Sequence, residues 1–185
     1  MVDQRTQRTP LTWGHGPVEV EFFLDPTCPF SNKAFKKIKP FVALMGEEAI
    51  TVRVYLHVQP WHLFSGLIAR TALAAALSSE GREDAWRVLD VVADHRDEFD
   101  AIDHCRGALM AVTPTEIRQR VEGYAGLKLS DSFEKESVTA MLKRQTRYAR
   151  QNGIHTSPTV MLNGLIDERF GSGDDVEAWV EYCTL

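Results

Sequence analysis

Polar and apolar residues alternate along Val18-Glu19-Val20-Glu21-Phe22-Phe23-Leu24, which puts Val18, Val20, Phe22 and Leu24 on one face of a strand. A second alternating run at residues 51–58 sets Val52, Val54, Leu56 and Val58 on one side. Between the two the period becomes helical. Pro29 suits the first position of a helix, and Phe35 and Ile38 follow on one face. Pro40 is expected to kink or end that helix, with Phe41–Met45 as a continuation. Strand, helix, strand in this order is a βαβ unit, so the two strands should be parallel and joined by a right-handed crossover.

The middle of the chain reads as helical throughout. Leu63–Leu77 is rich in Ala and Leu, and Glu83–Val92 carries Trp86, Leu89 and Val92 at helical spacing. Thr113-Pro114-Thr115-Glu116 is a helix start, with Thr as the cap, Pro first and Glu third. Tyr124-Ala125-Gly126 is its expected end. One long helix is predicted from about Ser132 to Gln151, stopped by Asn152-Gly153. The close returns to strands, with Thr159–Leu162, the hairpin pair Asn163-Gly164, and Leu165–Phe170 as antiparallel partner. Asp174–Tyr182 is a last amphipathic helix. The expected class is α/β, a mixed sheet covered by helices. A single domain should span 1–185, its sheet and flanking helices from about 1–61 and 130–185, with a helical insertion at about 62–129.

Composition narrows the function. With 44% hydrophobic residues in 185, the chain has enough apolar surface to fold, which excludes disorder as its main state. A net charge of −5 with no basic block argues against a nucleic-acid binder. No apolar run reaches membrane-spanning length, so no membrane partner is expected. The opening residues are polar and lack the apolar core of a secretory signal, which makes a cytoplasmic location the expectation. Cys28, Cys105 and Cys183 form no disulfide framework and show no zinc-ligand spacing, so no metal is expected.

The chemistry concentrates in two segments. Phe22-Phe23-Leu24-Asp25-Pro26-Thr27-Cys28-Pro29-Phe30-Ser31 runs from the carboxyl end of a strand into a helix, where open α/β sheets bind ligands. A sulfur at that N-cap lies near the N–H groups of Phe30 and Ser31, which with the helix dipole favour thiolate over thiol. Lys33, Lys36 and Lys37 add positive potential. The alternative is that Cys28 is a small buried hydrophobe, the common fate of a free cysteine. Asp25 could carry a proton for the thiol, but Asp25-Pro26 is also a turn-forming pair, and that reading is preferred. In the second segment, Gly153 to Val160, Pro158 enters a strand either as an edge residue or as a cis proline. His15, His62, His104 and His155 are unclustered; His155, two residues before Ser157, is the best placed of them to approach this site, and a plain loop histidine is the preferred reading. Cys105 and Cys183 are read as inert packing, with a resolving thiol as the alternative.

Taken together, residues 18–58 and 132–185 resemble the thioredoxin superfamily. The helical insertion and the run Phe22–Ser31 are similar to its DsbA-like branch of disulfide oxidoreductases. In that family a Cys-x-x-Cys motif opens the first helix, and a cis proline near the last hairpin faces it. Cys28-Pro29-Phe30-Ser31 stands at the motif and Ser157-Pro158 at the proline loop. The second cysteine of the family is Ser31 here, so the pair cannot close into a disulfide. Phe30 replaces a polar or basic residue that some members carry there. The resemblance implies thiol–disulfide exchange of a monothiol kind, an isomerase or reductase, with Cys28 and Ser31 catalytic. Pro29, Phe30, Thr156, Ser157 and Pro158 would contact a protein or peptide disulfide. Nothing would be bound tightly, and an external thiol such as glutathione would release the mixed disulfide. Two alternatives stand beside it. A glutathione-dependent transferase or isomerase of the kappa-class type would use Ser31 or Ser157 to hold glutathione, with the three lysines meeting its carboxylates. A non-catalytic module would hold an extended peptide at the Ser157-Pro158 edge by strand addition.

Overall fold

The computed structural model describes residues 9–101 and 103–184. Its sheet holds β1 (Thr12–Gly14), β2 (Val18–Leu24), β3 (Ile50–Leu56), β4 (Thr159–Leu162) and β5 (Leu165–Ile166), in the spatial order β1-β3-β2-β4-β5. Strands β2 and β3 are parallel and the other pairs are antiparallel. The parallel pair is the predicted βαβ unit, crossed by α1 (Pro29–Met45). Helix α1 runs through Pro40 instead of ending there. Lys36 and Pro40 both lie on the exposed side of the helix, so the carbonyl that loses its N–H partner faces water, while Phe41 and Val42 stay in the core.

Between β3 and β4 lie α2 (Ser65–Ala75), α3 (Arg82–Asp94), a 3-10 turn at Arg96–Glu98, a second at Ala108–Ala111, α4 (Pro114–Ala125), α5 (Ser130–Phe133) and α6 (Glu136–Gln151). Helix α7 (Val176–Thr184) follows β5. The α/β class expected from the sequence is the one observed. The start of α4 also follows its local code. Thr113 accepts from the Glu116 backbone, Glu116 closes back on Thr113, and Gly126 ends the helix in the left-handed region.

Three local expectations differ from the structure, each for a tertiary reason. The long helix from Ser132 is broken after Phe133. Arg70 of α2 donates to the Phe133 carbonyl at 2.8 Å and to the Thr139 hydroxyl at 2.6 Å, taking an acceptor that a continuous helix would use. Strand β5 is two residues long, because the Asp167 carboxylate accepts from the Arg169 backbone at 3.0 Å and turns the chain away. Strand β1 has no counterpart in the sequence reading. Three residues are too few for a periodic signal, and β1 is held by β3, with Val54 donating to the Leu11 carbonyl at 2.9 Å. Gly14 closes the approach at φ +70, where a Cβ would lie 2.0 Å from the Ile50 carbonyl oxygen.

Both faces of the sheet are covered. On one, Val20, Phe22, Leu24, Ile50, Val52 and Val54 pack with α1, α2, α3 and α7, around Trp179 and the stacked pair Phe35–Trp86. On the other, Phe23, Tyr55 and Met161 meet Ala149 and Tyr148 of α6. Among the described residues no helix is long and apolar enough to cross a membrane.

Candidate active site

Cys28 caps the N-terminus of α1 and is 6% exposed. Its thiol makes no bond to the helix N–H groups. It turns across the sheet and donates to the Ser157 carbonyl oxygen at 3.6 Å. The Ser157–Pro158 peptide bond is cis. The two segments that carried the sequence argument therefore meet, with the sulfur against the proline loop. Pro29 occupies the first helical turn, and Phe30 stands out in solvent at 56% exposure, with the Lys33 ammonium 5.8 Å from its ring. Thr156 is exposed and its carbonyl accepts from the Thr159 hydroxyl at 2.8 Å. The Ser157 hydroxyl oxygen is buried without a hydrogen-bond partner.

Ser31, the third residue of α1, is 1% exposed, and its hydroxyl oxygen accepts from the Asp25 backbone N–H at 3.1 Å. The hydroxyl is thus committed to holding the turn. Asp25 is more than a turn residue. Fully buried, its carboxylate accepts from Thr27 N at 2.9 Å, the Thr27 hydroxyl at 3.2 Å, Cys28 N at 3.2 Å and Gln59 N at 2.6 Å. Four donors on a buried carboxylate are what such a charge requires in place of water. Asp25 thereby ties the Cys28 loop to the segment that follows β3.

Two histidines absent from the expected site lie around it. His57, at the carboxyl end of β3, hydrogen-bonds the His155 backbone and lies near Asp25. Burial holds it below the usual histidine range, against the opposing pull of Asp25. In the sequence the alternating run continues to Val58 and hides it; the observed strand ends at Leu56, which leaves His57 just past the carboxyl end, where such sheets bind ligands. His62 pairs with Asp100 at 3.0 Å, both side chains being under a tenth exposed. His155, the histidine singled out from the sequence, contributes its backbone to this arrangement through His57.

On the far face of the sheet, the Glu21 carboxylate accepts from the hydroxyls of Tyr55 at 2.9 Å and Tyr148 at 2.8 Å. Burial first, and Glu21 second, push the Tyr55 hydroxyl well above its usual range.

The three lysines do not form a cluster aimed at the site. Lys36 bridges Asp90 and Asp94 of α3. Lys37 donates to the carbonyls of Ser172 and Asp174 beside α7. Only Lys33 stays near the Cys28 turn. The other thiols lie apart from Cys28. Cys105 sits in a loop and not in a helix, at φ +66, its sulfur 3.9 Å from the Trp61 carbonyl oxygen. Cys183 is half-buried in α7, and burial pushes its thiol up to about 11. Among the described residues, no group of three His, Cys, Asp or Glu side chains could hold a metal ion.

No family model matches the chain, and none of the curated proteins does. Solved structures do. A candidate protein-disulfide isomerase from Pseudomonas syringae is 48% identical over 94% of this chain and 97% of that one, with a TM-score of 0.92. DsbA2 of Pseudomonas aeruginosa matches over 92% of this chain and 90% of its own at 17% identity and a TM-score of 0.64. This chain belongs to the family of the Pseudomonas syringae protein, and its fold is the DsbA-like thioredoxin fold. The same fold, at 14% identity, 97% and 92% coverage and a TM-score of 0.59, is that of BdbD from Bacillus subtilis. In this DsbA-like protein the cysteine at the start of α1 stands alone, and the residue one turn on is a buried serine.

Proposed function

We propose that the protein is a thiol–disulfide exchange enzyme, an isomerase or reductase acting on protein or peptide disulfides, with Cys28 as its single nucleophile. The observation that carries this reading is the contact of the Cys28 sulfur with the Ser157 carbonyl across the cis Ser157–Pro158 bond, at the end of a helix. In the first step the Cys28 thiolate attacks one sulfur of the substrate disulfide. A bond forms between Cys28 and that sulfur, the substrate S–S bond breaks, and the second substrate sulfur leaves as a thiolate. In the second step a free thiolate, from glutathione or from another cysteine of the substrate, attacks the mixed disulfide and Cys28 departs as thiolate. With a substrate thiol the cycle is redox-neutral and isomerises. With glutathione the substrate sulfur held on Cys28 leaves as a substrate–glutathione mixed disulfide, and a second glutathione thiolate then frees it as a thiol and forms glutathione disulfide.

Ser31 supports a monothiol cycle, since it supplies no second sulfur and its hydroxyl is used within the loop. The same burial speaks against Ser31 as a holder of glutathione in a transferase. The engagement of Lys36 and Lys37 elsewhere removes two of the three cations that reading needed.

The test is exposure to oxidised glutathione followed by intact-mass and peptide analysis. One glutathione is expected on Cys28, stable until reduced thiol is added. Absence of an adduct at Cys28, or equal adducts on all three cysteines, overturns the reading.

A further inference from the structure

We propose that Arg96 is a positioning residue for Cys28, acting from the helical segment through the Thr27 carbonyl. The proposal rests on the reading of Cys28 as the nucleophile. The Arg96 Nε donates to the Thr27 carbonyl oxygen at 3.1 Å. That oxygen belongs to the peptide unit whose N–H is that of Cys28, and the N–H donates to the Asp25 carboxylate at 3.2 Å. The Thr27–Cys28 peptide plane is therefore held at both ends, its oxygen by the guanidinium and its hydrogen by Asp25, whose carboxylate and backbone carbonyl each accept at 3.2 Å. Rotation of this plane would swing the Cβ and sulfur of Cys28 relative to the Ser157 carbonyl.

Arg96 is itself fixed. Its Nη2 donates to Asp100 at 3.0 Å, and the other oxygen of Asp100 lies 3.0 Å from His62 Nδ1. The His62 backbone donates to the Gln59 carbonyl at 3.2 Å, and Gln59 N donates to Asp25 at 2.6 Å. The bonds close a circuit from Cys28 through Arg96, Asp100, His62, Gln59 and Asp25 back to Cys28. Other charged and titratable groups around it are Asp97, which is solvent-exposed on Arg96 Nη1, His104 beside His62, His57 near Asp25, and Lys33 beside Phe30. A guanidinium keeps its charge at every working pH and holds a planar, directed set of donors. It can thus fix the loop and keep a positive charge on the carbonyl of the residue before Cys28, where Phe30 supplies none.

The test is the rate of Cys28 alkylation by iodoacetamide, read by peptide mass spectrometry at roughly pH 6 and roughly pH 9.5, where an ordinary thiol is scarcely ionised and mostly ionised. Arg96→Met should slow Cys28 about 3- to 10-fold at the lower pH and less than about 2-fold at the higher, the loss expected of a partly screened neighbouring charge. Arg96→Lys, which keeps the charge and loses the fork, should recover part of the low-pH rate. If Arg96→Met fails to fold, Arg96→Gln, which keeps a donor for the Thr27 carbonyl and removes the charge, should slow Cys28 in the same pH-dependent way. Slowing by one common factor at both pH values, or no slowing at either, overturns the proposal. Wild-type Cys28 reacting no faster than Cys105 would overturn the nucleophile reading itself, and is scored on wild-type protein before any variant is compared.

Discussion

The sulfur of Cys28 and the carbonyl oxygen of Ser157 are 3.6 Å apart although 129 residues separate them in the chain. One residue is the cap of a helix and the other the entry to a strand. Parallel pairing of β2 with β3, and antiparallel pairing of β4 with β2, bring both to the same end of the sheet. A disulfide docked on the proline loop would meet the thiol there, and the first prediction concerns that thiol.

Cys28 should be alkylated well ahead of Cys183. Burial pushes the Cys183 thiol to about 11, so near neutrality roughly one molecule in ten thousand carries its thiolate, against a few per cent for an unperturbed cysteine. Timed iodoacetamide labelling near pH 7 with peptide mapping reads this directly. Cys183 should begin to react only as the solution approaches its raised value. Equal rates for the two would contradict the burial seen in α7.

Ser31→Cys should give Cys28 a partner with which it can close a disulfide, since residue 31 lies one helical turn beyond residue 28 on the buried side of α1. After oxidised glutathione, the variant should lose two thiols and carry no adduct, because attack within the molecule has a large effective concentration. Wild type should lose one thiol and keep the adduct. The substitution also replaces the oxygen that accepts from Asp25 N by a weaker sulfur acceptor, so the reduced variant should be less stable by about 1 kcal/mol in urea unfolding. An adduct retained on the variant would mean that residue 31 does not reach the sulfur.

Asp25→Asn should destabilise the protein by about 2–4 kcal/mol. The carboxylate accepts four hydrogen bonds with no exposure to water, and an amide group must turn its N–H bonds toward at least one of those donors. Urea unfolding followed by far-ultraviolet circular dichroism measures the loss. A change under about 0.5 kcal/mol, the range of an ordinary surface substitution, would show that Asp25 is only a turn residue.

Stability should fall as the pH drops through the acidic range. Donation from the Thr113 backbone and hydroxyl holds Glu116 below its ordinary value of 4.5, and the Arg169 side chain does the same for Asp167, whose ordinary value is 3.8. A carboxyl group lowered on folding adds stability above its unfolded value, and loses it as the pH falls through its folded value. The urea midpoint should therefore decline below about pH 4.5. Glu116→Gln should flatten that decline. An identical decline in this variant would remove the capping box as a source of it.

Much of the frame was legible because it is local. Period-two runs fixed β2 and β3, Pro29 fixed the start of α1, and Thr113 with Glu116 fixed the start of α4, because each signal lies within a few residues of its effect. The same locality placed Cys28 at a strand-to-helix junction, with Ser31 where a second cysteine would stand one turn away. What came only with tertiary structure depends on residues far apart in the chain. The break between α5 and α6 depends on Arg70, 63 residues before Phe133. The role of Asp25 depends on the Gln59 N–H, 34 residues away, and the hold on the Thr27 carbonyl on Arg96, 69 residues away. The direction of the Cys28 sulfur depends on Ser157. A hydrophobic period encodes which face of an element is buried, but it carries no record of which distant polar group will face it. That choice is made when the elements pack, because a buried donor or acceptor must then find a partner in whatever segment lies opposite.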